Sequence, residues 1–259
     1  MKLAGARVVI TGASRGIGAE LARSLAAKGA RVVLVARSRE PLEKLAADLD
    51  GEAFPADLTD ASALEPLVHA IEAEGPIDVL VNNAGIDLTG ALIDVRPQEI
   101  EQLYAVNLLA PVLLSRAVIP AMVARSRGHI MNVSSLAGTN MLPGVVPYSS
   151  SKAGLSHFTA GLRAELKGTG VTTTLVEIGP VEGSMIDSLR AHEPTRRALA
   201  RLRLLRLEVD LELATVVDAL VDAIEHERKH VRMPKRDILF PLLAETPRRL
   251  TELLLVGVK

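Results

Sequence analysis

The chain has 259 residues, 48% hydrophobic and 24% charged, and a formal net charge of −1. That length suits one large domain or two small ones, with enough apolar residues for a core that needs no covalent staples. A near-neutral charge argues against nucleic acid, whose phosphates demand a basic excess, and the absence of cysteine removes disulfides, thiol nucleophiles and thiolate metal sites.

The first apolar run, Arg7–Ile10, reads as a strand. Val8-Val9-Ile10 is too short for the apolar core of a secretory signal. No apolar stretch approaches the length of about 18 residues that spans a bilayer. The expectation is a soluble, cytoplasmic protein, which the lack of cysteine also suits.

Thr11-Gly12-Ala13-Ser14-Arg15-Gly16-Ile17-Gly18 follows that strand and opens a helical pattern, Ile17–Lys28. Glycines at such a junction permit a tight turn and let the backbone approach a pyrophosphate seated on the helix N-terminus. The spacing is G-x-x-x-G-x-G, wider than G-x-G-x-x-G, and an ordinary strand–helix turn is the alternative. The second strand, Arg31–Val35, runs into Ala36-Arg37-Ser38-Arg39. An acid at that point binds the ribose 2′-OH in many dinucleotide folds. Here Arg37, with Arg15 across the same ribose, suits a 2′-phosphate instead. Solvated arginines are the bland alternative. NADP(H) is expected over NAD(H).

Strand patterns at Glu52–Pro55, Val79–Val81, His129–Val133 and Thr172–Ile178, with a weaker one at His230–Met233, alternate with helical patterns. The latter cover Pro41–Leu49, Ala61–Glu74, Ile100–Ala124, Tyr148–Lys167 and Leu211–His226. Such βαβ alternation with continuous apolar strands predicts a single α/β domain. Its architecture is a Rossmann-type, doubly wound parallel sheet with helices on both faces.

In Pro147-Tyr148-Ser149-Ser150-Ser151-Lys152, Tyr148 and Lys152 stand at i and i+4 on a helix. An ammonium beside a phenol favours the phenolate and lowers its pKa from about 10 towards working pH. That is the requirement of a general acid/base. The alternative is a core tyrosine with a satisfied hydroxyl.

From Val8 to about Ser184 these residues resemble the classical short-chain dehydrogenase/reductase family. Thr11–Gly18 looks like its glycine loop, which implies cofactor contacts from Gly12, Ser14, Arg15, Gly16, Ile17 and Gly18, with Arg37 and Ser38 beyond the second strand. Asp57 in Ala56-Asp57-Leu58 resembles the acid at the adenine, with Leu58 beside it. Asn82-Asn83-Ala84-Gly85 matches N-N-A-G, with Asn83, Ala84 and Gly85 lining the cofactor. Asn107 matches the asparagine that anchors a relay water. Ser135, preferred to Ser134 by its distance from the tyrosine, matches the substrate-orienting serine, and Tyr148 and Lys152 match Y-x-x-x-K.

The resemblance implies seven parallel strands, dimers built on two long helices, and hydride transfer between NADP(H) and a carbonyl/alcohol pair. Ser135 would bind the substrate oxygen, Tyr148 move the proton, and Lys152 hold the nicotinamide ribose. Pro180 and Val181 would flank the nicotinamide. One stretch departs from the pattern: Ile178-Gly179-Pro180-Val181-Glu182-Gly183-Ser184 carries Gly183 in place of a threonine, and Ser184 is the nearest hydroxyl.

The stretch 183–208, rich in Arg and Leu, is expected to form a substrate lid. Its arginines are either an anion-facing surface or the wet side of a helix. The apolar tail 238–259, broken by Pro241 and Pro247, is expected to dock on protein rather than on a membrane surface. His226-Glu227-Arg228-Lys229-His230 matches H-E-x-x-H, but at a helix end with basic residues inside it. No metal is expected. The partners expected are a small apolar carbonyl or alcohol and a second copy of the chain, as homodimer or homotetramer. A non-catalytic nucleotide-binding scaffold or sensor is the rival reading, and a lipid-carrier role driven by the tail is a third.

Overall fold

The computed structural model describes residues 1–139, 143–181, 192–204 and 210–234. Seven strands form one sheet in the order β3-β2-β1-β4-β5-β6-β7, and every pairing is parallel. They are β1 (Arg7–Thr11), β2 (Arg31–Ala36), β3 (Glu52–Pro55), β4 (Val79–Asn82), β5 (Gly128–Ser135), β6 (Val171–Ile178) and β7 (His230–Met233). Each falls on a strand pattern read from the sequence, the weak seventh included.

The helices are α1 (Gly16–Ala27), α2 (Arg39–Asp48), α3 (Ala61–Ala73), α4 (Pro97–Tyr104), α5 (Ala110–Ala124), α6 (Val146–Glu165), α7 (Glu193–Leu204) and α8 (Leu213–Glu225). Alternate strand residues face two cores. Val8, Ile10, Val79 and Val81 pack with α1 and α8, through Leu21, Leu25, Leu220 and Ile224. Val9, Leu80 and Ile130 pack with α3, α5 and α6, through Val68, Leu114, Val118 and Leu162. A strand buried on both faces needs apolar residues at every position, which is why these runs do not alternate. Each fully buried leucine or isoleucine contributes about 1.5–3 kcal/mol.

The expected helix Ile100–Ala124 is not one regular helix. α4 stops at Tyr104, Ala105–Leu109 form a π turn, and α5 resumes at Ala110. The wider turn takes in an extra residue and shifts the helical register, and Asn107 within it is wholly buried. The same region corrects the expectation that no stretch could span a membrane. Pro97–Ala124 is long and apolar enough by length and composition. Its apolar side, Leu114, Val118 and Met122, is buried in the second core.

At the other end of the sheet, α8 stops at Glu225, and Glu227 has a φ of 50° before β7 begins at His230. His226 and His230 therefore share no helix face. His226 Nδ1 lies 2.9 Å from Asp222 Oδ1, and His230 Nε2 lies 3.1 Å from Arg163 Nη1. β7 is tied to β6 by a buried ion pair, Arg232 Nε to Glu177 Oε2 at 2.8 Å. Within the expected lid, α7 is the helix whose wet side was one expectation for its arginines. Gly183, Ser184 and the tail 238–259 lie outside the described residues.

Candidate active site

β1 and β4 are neighbours in the sheet but not in the chain, so the connections leaving their C-terminal ends diverge and open a crevice. The glycine loop and the Asn82–Gly85 segment form its walls. Thr11 Oγ1 accepts the N–H groups of Asn83 and Ala84 at 3.1 and 3.0 Å and donates to the Val81 carbonyl at 3.3 Å. Asn83 Nδ2 returns a bond to the Thr11 carbonyl at 2.9 Å. Side chains have no room here. A Cβ on Gly12, whose φ is +68°, would lie 2.8 Å from Ala84 Cα, and one on Gly18 would lie 2.4 Å from the Gly12 carbonyl oxygen. Gly16 also has a positive φ, +57°, but faces open space.

α1 starts at Gly16 with no side-chain cap on its first turn, so its free N–H groups point into the crevice. Ser14 and Ile17 are part-buried beside it, and Arg15 is exposed. Arg37 and Ser38 are exposed beyond β2, and the Ser38 hydroxyl makes no cap bond to α2. Asp57 accepts the Thr59 N–H and hydroxyl at 3.0 and 2.9 Å, and the former bond leads in holding its pKa below the usual carboxylate value. The positive charge of Arg37 adds a smaller part to that lowering. Leu58 is buried behind Asp57. Free helix N–H groups, two exposed guanidiniums and a spare hydroxyl fit a phosphorylated dinucleotide.

The second cluster lies where β5 ends. Pro147 sits in the first turn of α6, which suits a residue with fixed φ and no N–H to offer. Tyr148 and Lys152 follow on one face, with Lys152 Nζ 5.9 Å from the Tyr148 ring centroid. Lys152 is 4% exposed and donates to the Val133 carbonyl at 2.9 Å. Ser135 shares a hydrogen bond with the Tyr148 hydroxyl, accepts the Ala137 N–H at 3.1 Å and donates to the Ile178 carbonyl at 3.3 Å. Ser134 faces the other way. It is buried, donates to the Lys152 carbonyl at 2.9 Å, and lies 2.9 Å from Ser156 Oγ. Of the two serines, Ser135 meets the tyrosine and Ser134 packs α6 onto the sheet.

Asn107 reaches the same cluster from the π turn. Its Oδ1 accepts the Ile86 N–H and its Nδ2 donates to the Ile86 carbonyl, each at 2.9 Å, with Ser151 Oγ 3.3 Å away. Its amide is thus a clamp on the segment after β4. Pro180 and Val181 lie just beyond β6, where the Pro180 carbonyl accepts the Leu211 N–H at 2.8 Å.

The electrostatics differ from the expectation. The Tyr148 pKa is raised, not lowered: burial of the hydroxyl is the main cause, Ser135 opposes it, and the charge of Asp87 adds to it. Burial also pushes Lys152 down to about 8. Burial thus disfavours the charged form of both groups and outweighs the lowering that their spacing led one to expect for the phenol. Tyr148 is a protonated acid at neutral pH.

Asp87, Ser151 and Thr195 were not singled out in the sequence. Asp87 belongs to no motif and Ser151 is an unspecified position within Tyr148–Lys152, so their place comes from packing. Thr195 of α7 is wholly buried and donates to the Pro143 carbonyl at 2.7 Å, five residues before Tyr148.

A family model described as short chain dehydrogenase matches residues 6–194. A ketoacyl reductase, HetN, from Nostoc sp. (strain PCC 7120) is 42% identical over 194 residues, 72% of this chain and 68% of its own. The 3-oxoacyl-acyl-carrier-protein reductase FabG of Escherichia coli (strain K12) is 35% identical over 222 residues, 84% of this chain and 90% of its own. Among solved structures, a metagenomic short-chain oxidoreductase in complex with NADP superposes with a TM-score of 0.66 at 40% identity. That match covers 82% of this chain and 99% of the other.

Proposed function

We propose that this chain, which belongs to the short-chain dehydrogenase family, transfers a hydride between NADP(H) and a carbonyl/alcohol pair on an apolar substrate. Membership makes it an oxidoreductase that uses a nicotinamide cofactor. The observation that carries the finer reading is the meeting of Ser135, Tyr148 and Lys152 at the end of β5.

A bound nicotinamide supplies or accepts the hydride. In reduction, Ser135 holds the carbonyl oxygen where negative charge develops. Tyr148, which carries its proton at neutral pH, gives that proton to the oxygen. In oxidation the same phenol must take the proton back. Lys152, anchored on the Val133 carbonyl, offers its remaining donors to the nicotinamide ribose. Asn107 positions the wall opposite Tyr148 rather than touching the reacting atoms. Gly12, Ser14, Gly16, Ile17 and Gly18 cradle the pyrophosphate. Arg15, Arg37 and Ser38 meet the 2′-phosphate, and Asp57 and Leu58 the adenine. Asn83, Ala84 and Gly85 line the riboside, and Pro180 and Val181 flank the ring.

Two exposed arginines at the ribose end and an NADP complex among similar structures support the cofactor choice. Ketoacyl reductases among the relatives support a keto group on an acyl chain. We assign 183–208 to a lid, which the docking of Thr195 on Pro143 supports. The tail 238–259 we assign to a lid or subunit contact, in a cytoplasmic homodimer or homotetramer. The rival scaffold reading has no observation in its favour. The test is NADPH consumption across a panel of ketones, 3-oxo esters and 3-oxo thioesters. Turnover at the keto group of a 3-oxo ester or thioester is expected, and NADPH binding with no turnover on any member would overturn the reading.

A further inference from the structure

Just before Tyr148 the chain turns at Pro143-Gly144, and the two consecutive carbonyls of that turn are taken by different parts of the fold. Proline fixes one φ of such a turn and glycine supplies the other, +82° at Gly144. The Pro143 carbonyl accepts the Thr195 hydroxyl of α7 at 2.7 Å. The Gly144 carbonyl accepts the Gly90 N–H at 2.8 Å. Gly90 stands four residues after Ile86, whose N–H and carbonyl are both held by the Asn107 amide. Val145 is then buried, and α6 begins. Both edges of this strap border the reacting cluster, since Tyr148 lies three residues past Val145 and a Cβ on Gly85 would lie 3.4 Å from Lys152 Nζ. One strap therefore joins α7, the connection after β4 and the helix that carries Tyr148 and Lys152.

Thr195 is the centre of the contact. It and Leu199, at i and i+4, are buried on one side of α7, while Arg196 and Arg197 are exposed. A hydroxyl has one proton, and Thr195 gives it to Pro143. Towards His192 Nδ1, 2.7 Å away, it can then only accept, so His192 carries a proton on Nδ1. Both partners lose a bond if the hydroxyl is removed. Residue 144 has no room for a side chain either: a Cβ there would lie 2.5 Å from Thr195 Oγ1 and closer still to His192 Nδ1.

We propose that Thr195 is a positioning residue: through Pro143 and Gly144 it holds α7 and the connection 86–90 as one wall, and that wall grips the part of the substrate that does not react. The proposal rests on the hydride-transfer reading above, in which the carbonyl oxygen sits on Ser135 and Tyr148. Thr195 acts through other residues, so its loss should appear in KM and leave the cofactor alone.

The test measures kcat and KM for ethyl acetoacetate, the Kd for NADPH, and amide hydrogen exchange in α7, for the parent and its variants. Thr195→Val keeps the shape and removes the hydroxyl. KM should rise about tenfold, as loss of a buried hydrogen bond allows, with kcat and NADPH affinity nearly held. Exchange across α7 should quicken by a similar factor. Thr195→Ser should restore both readouts. Gly144→Ala should act like Thr195→Val, and the double variant should be no worse than the poorer single one, because both break one contact. Losses that add, a serine variant no better than valine, or NADPH affinity that falls in step with substrate affinity overturn the role of Thr195. If Gly144→Ala does not fold, the valine and serine pair decides. No turnover by the parent on the ester or any other carbonyl overturns the hydride-transfer reading instead, and exchange then still tests the contact.

Discussion

Residues 11–18 and the residues around Tyr148 both present a few polar atoms at the same edge of the sheet, and they are held there in different ways. In the glycine loop the determinant is backbone space. Gly12 and Gly18 lie where a Cβ would strike Ala84 or the loop's own carbonyl, and Thr11 and Asn83 bond the two walls together. Around Tyr148 the determinants are side chains from separated stretches: Asn107 from the π turn, Ser135 from β5, and Lys152 from α6. A surface defined by backbone tolerates changes in what lies outside it and fails when a methyl group is added inside. A surface defined by side chains fails one functional group at a time.

That contrast is tested most severely by Tyr148→Phe, which keeps the ring and removes the transferable proton. Turnover should fall by about 10²–10⁴-fold while NADPH binding is held. If most of the turnover survives, the chemistry does not reside in this cluster.

The adjacent serines sharpen the point. Ser135→Ala should cost about a hundredfold in kcat, as loss of a donor to the developing oxyanion does. Ser134→Ala should leave the chemistry in place and lower the unfolding free energy by about 1–3 kcal/mol, because its buried partners lose their bonds. Denaturant melts of both variants beside their rates separate the two roles, and a reversed pattern would exchange the assignments.

On the other wall, Gly12→Ala adds only a methyl group, yet it meets the Ala84 backbone and a φ that alanine disfavours. Overpacking of this kind costs about 1–3 kcal/mol. Weaker NADPH binding and a lower melting temperature should appear together. An alanine variant with parental affinity would show that the loop yields.

Arg37→Asp probes the edge of that wall, where side chains take over from backbone. Removing one guanidinium contact and adding repulsion should lower the preference for NADPH over NADH by about tenfold or more. Equal affinity for both cofactors in the parent would remove the basis for the 2′-phosphate assignment.

The two walls were not equally legible. The glycine loop, Arg37 and Asp57 could be read in the sequence because their signals are local: spacing within a few residues and position after a strand. The central strands β1, β2 and β4 were legible for a related reason, since a strand buried on both faces is apolar throughout, whereas the edge strands β3 and β7 are mostly part-buried. The pair Tyr148 and Lys152 was legible as an i, i+4 motif, and Ser135 by its spacing. The break at Ala105–Leu109 was not, because a π turn changes register without changing composition. Asp87 was invisible, since an aspartate in a connection has no pattern until the Asn107 clamp shows which wall it stands in.

The sequence by itself determined the sheet and the order of its elements, and it singled out Ser135, Tyr148 and Lys152 as candidates, because each rests on a pattern that neighbours along the chain can carry. Only the tertiary structure decided how those side chains are charged. The expectation that Lys152 would draw down the Tyr148 pKa followed from their spacing, but spacing says nothing of water. Once α6 is packed against β5, burial raises the phenol and lowers the lysine to about 8, so desolvation rather than spacing sets the direction of both shifts.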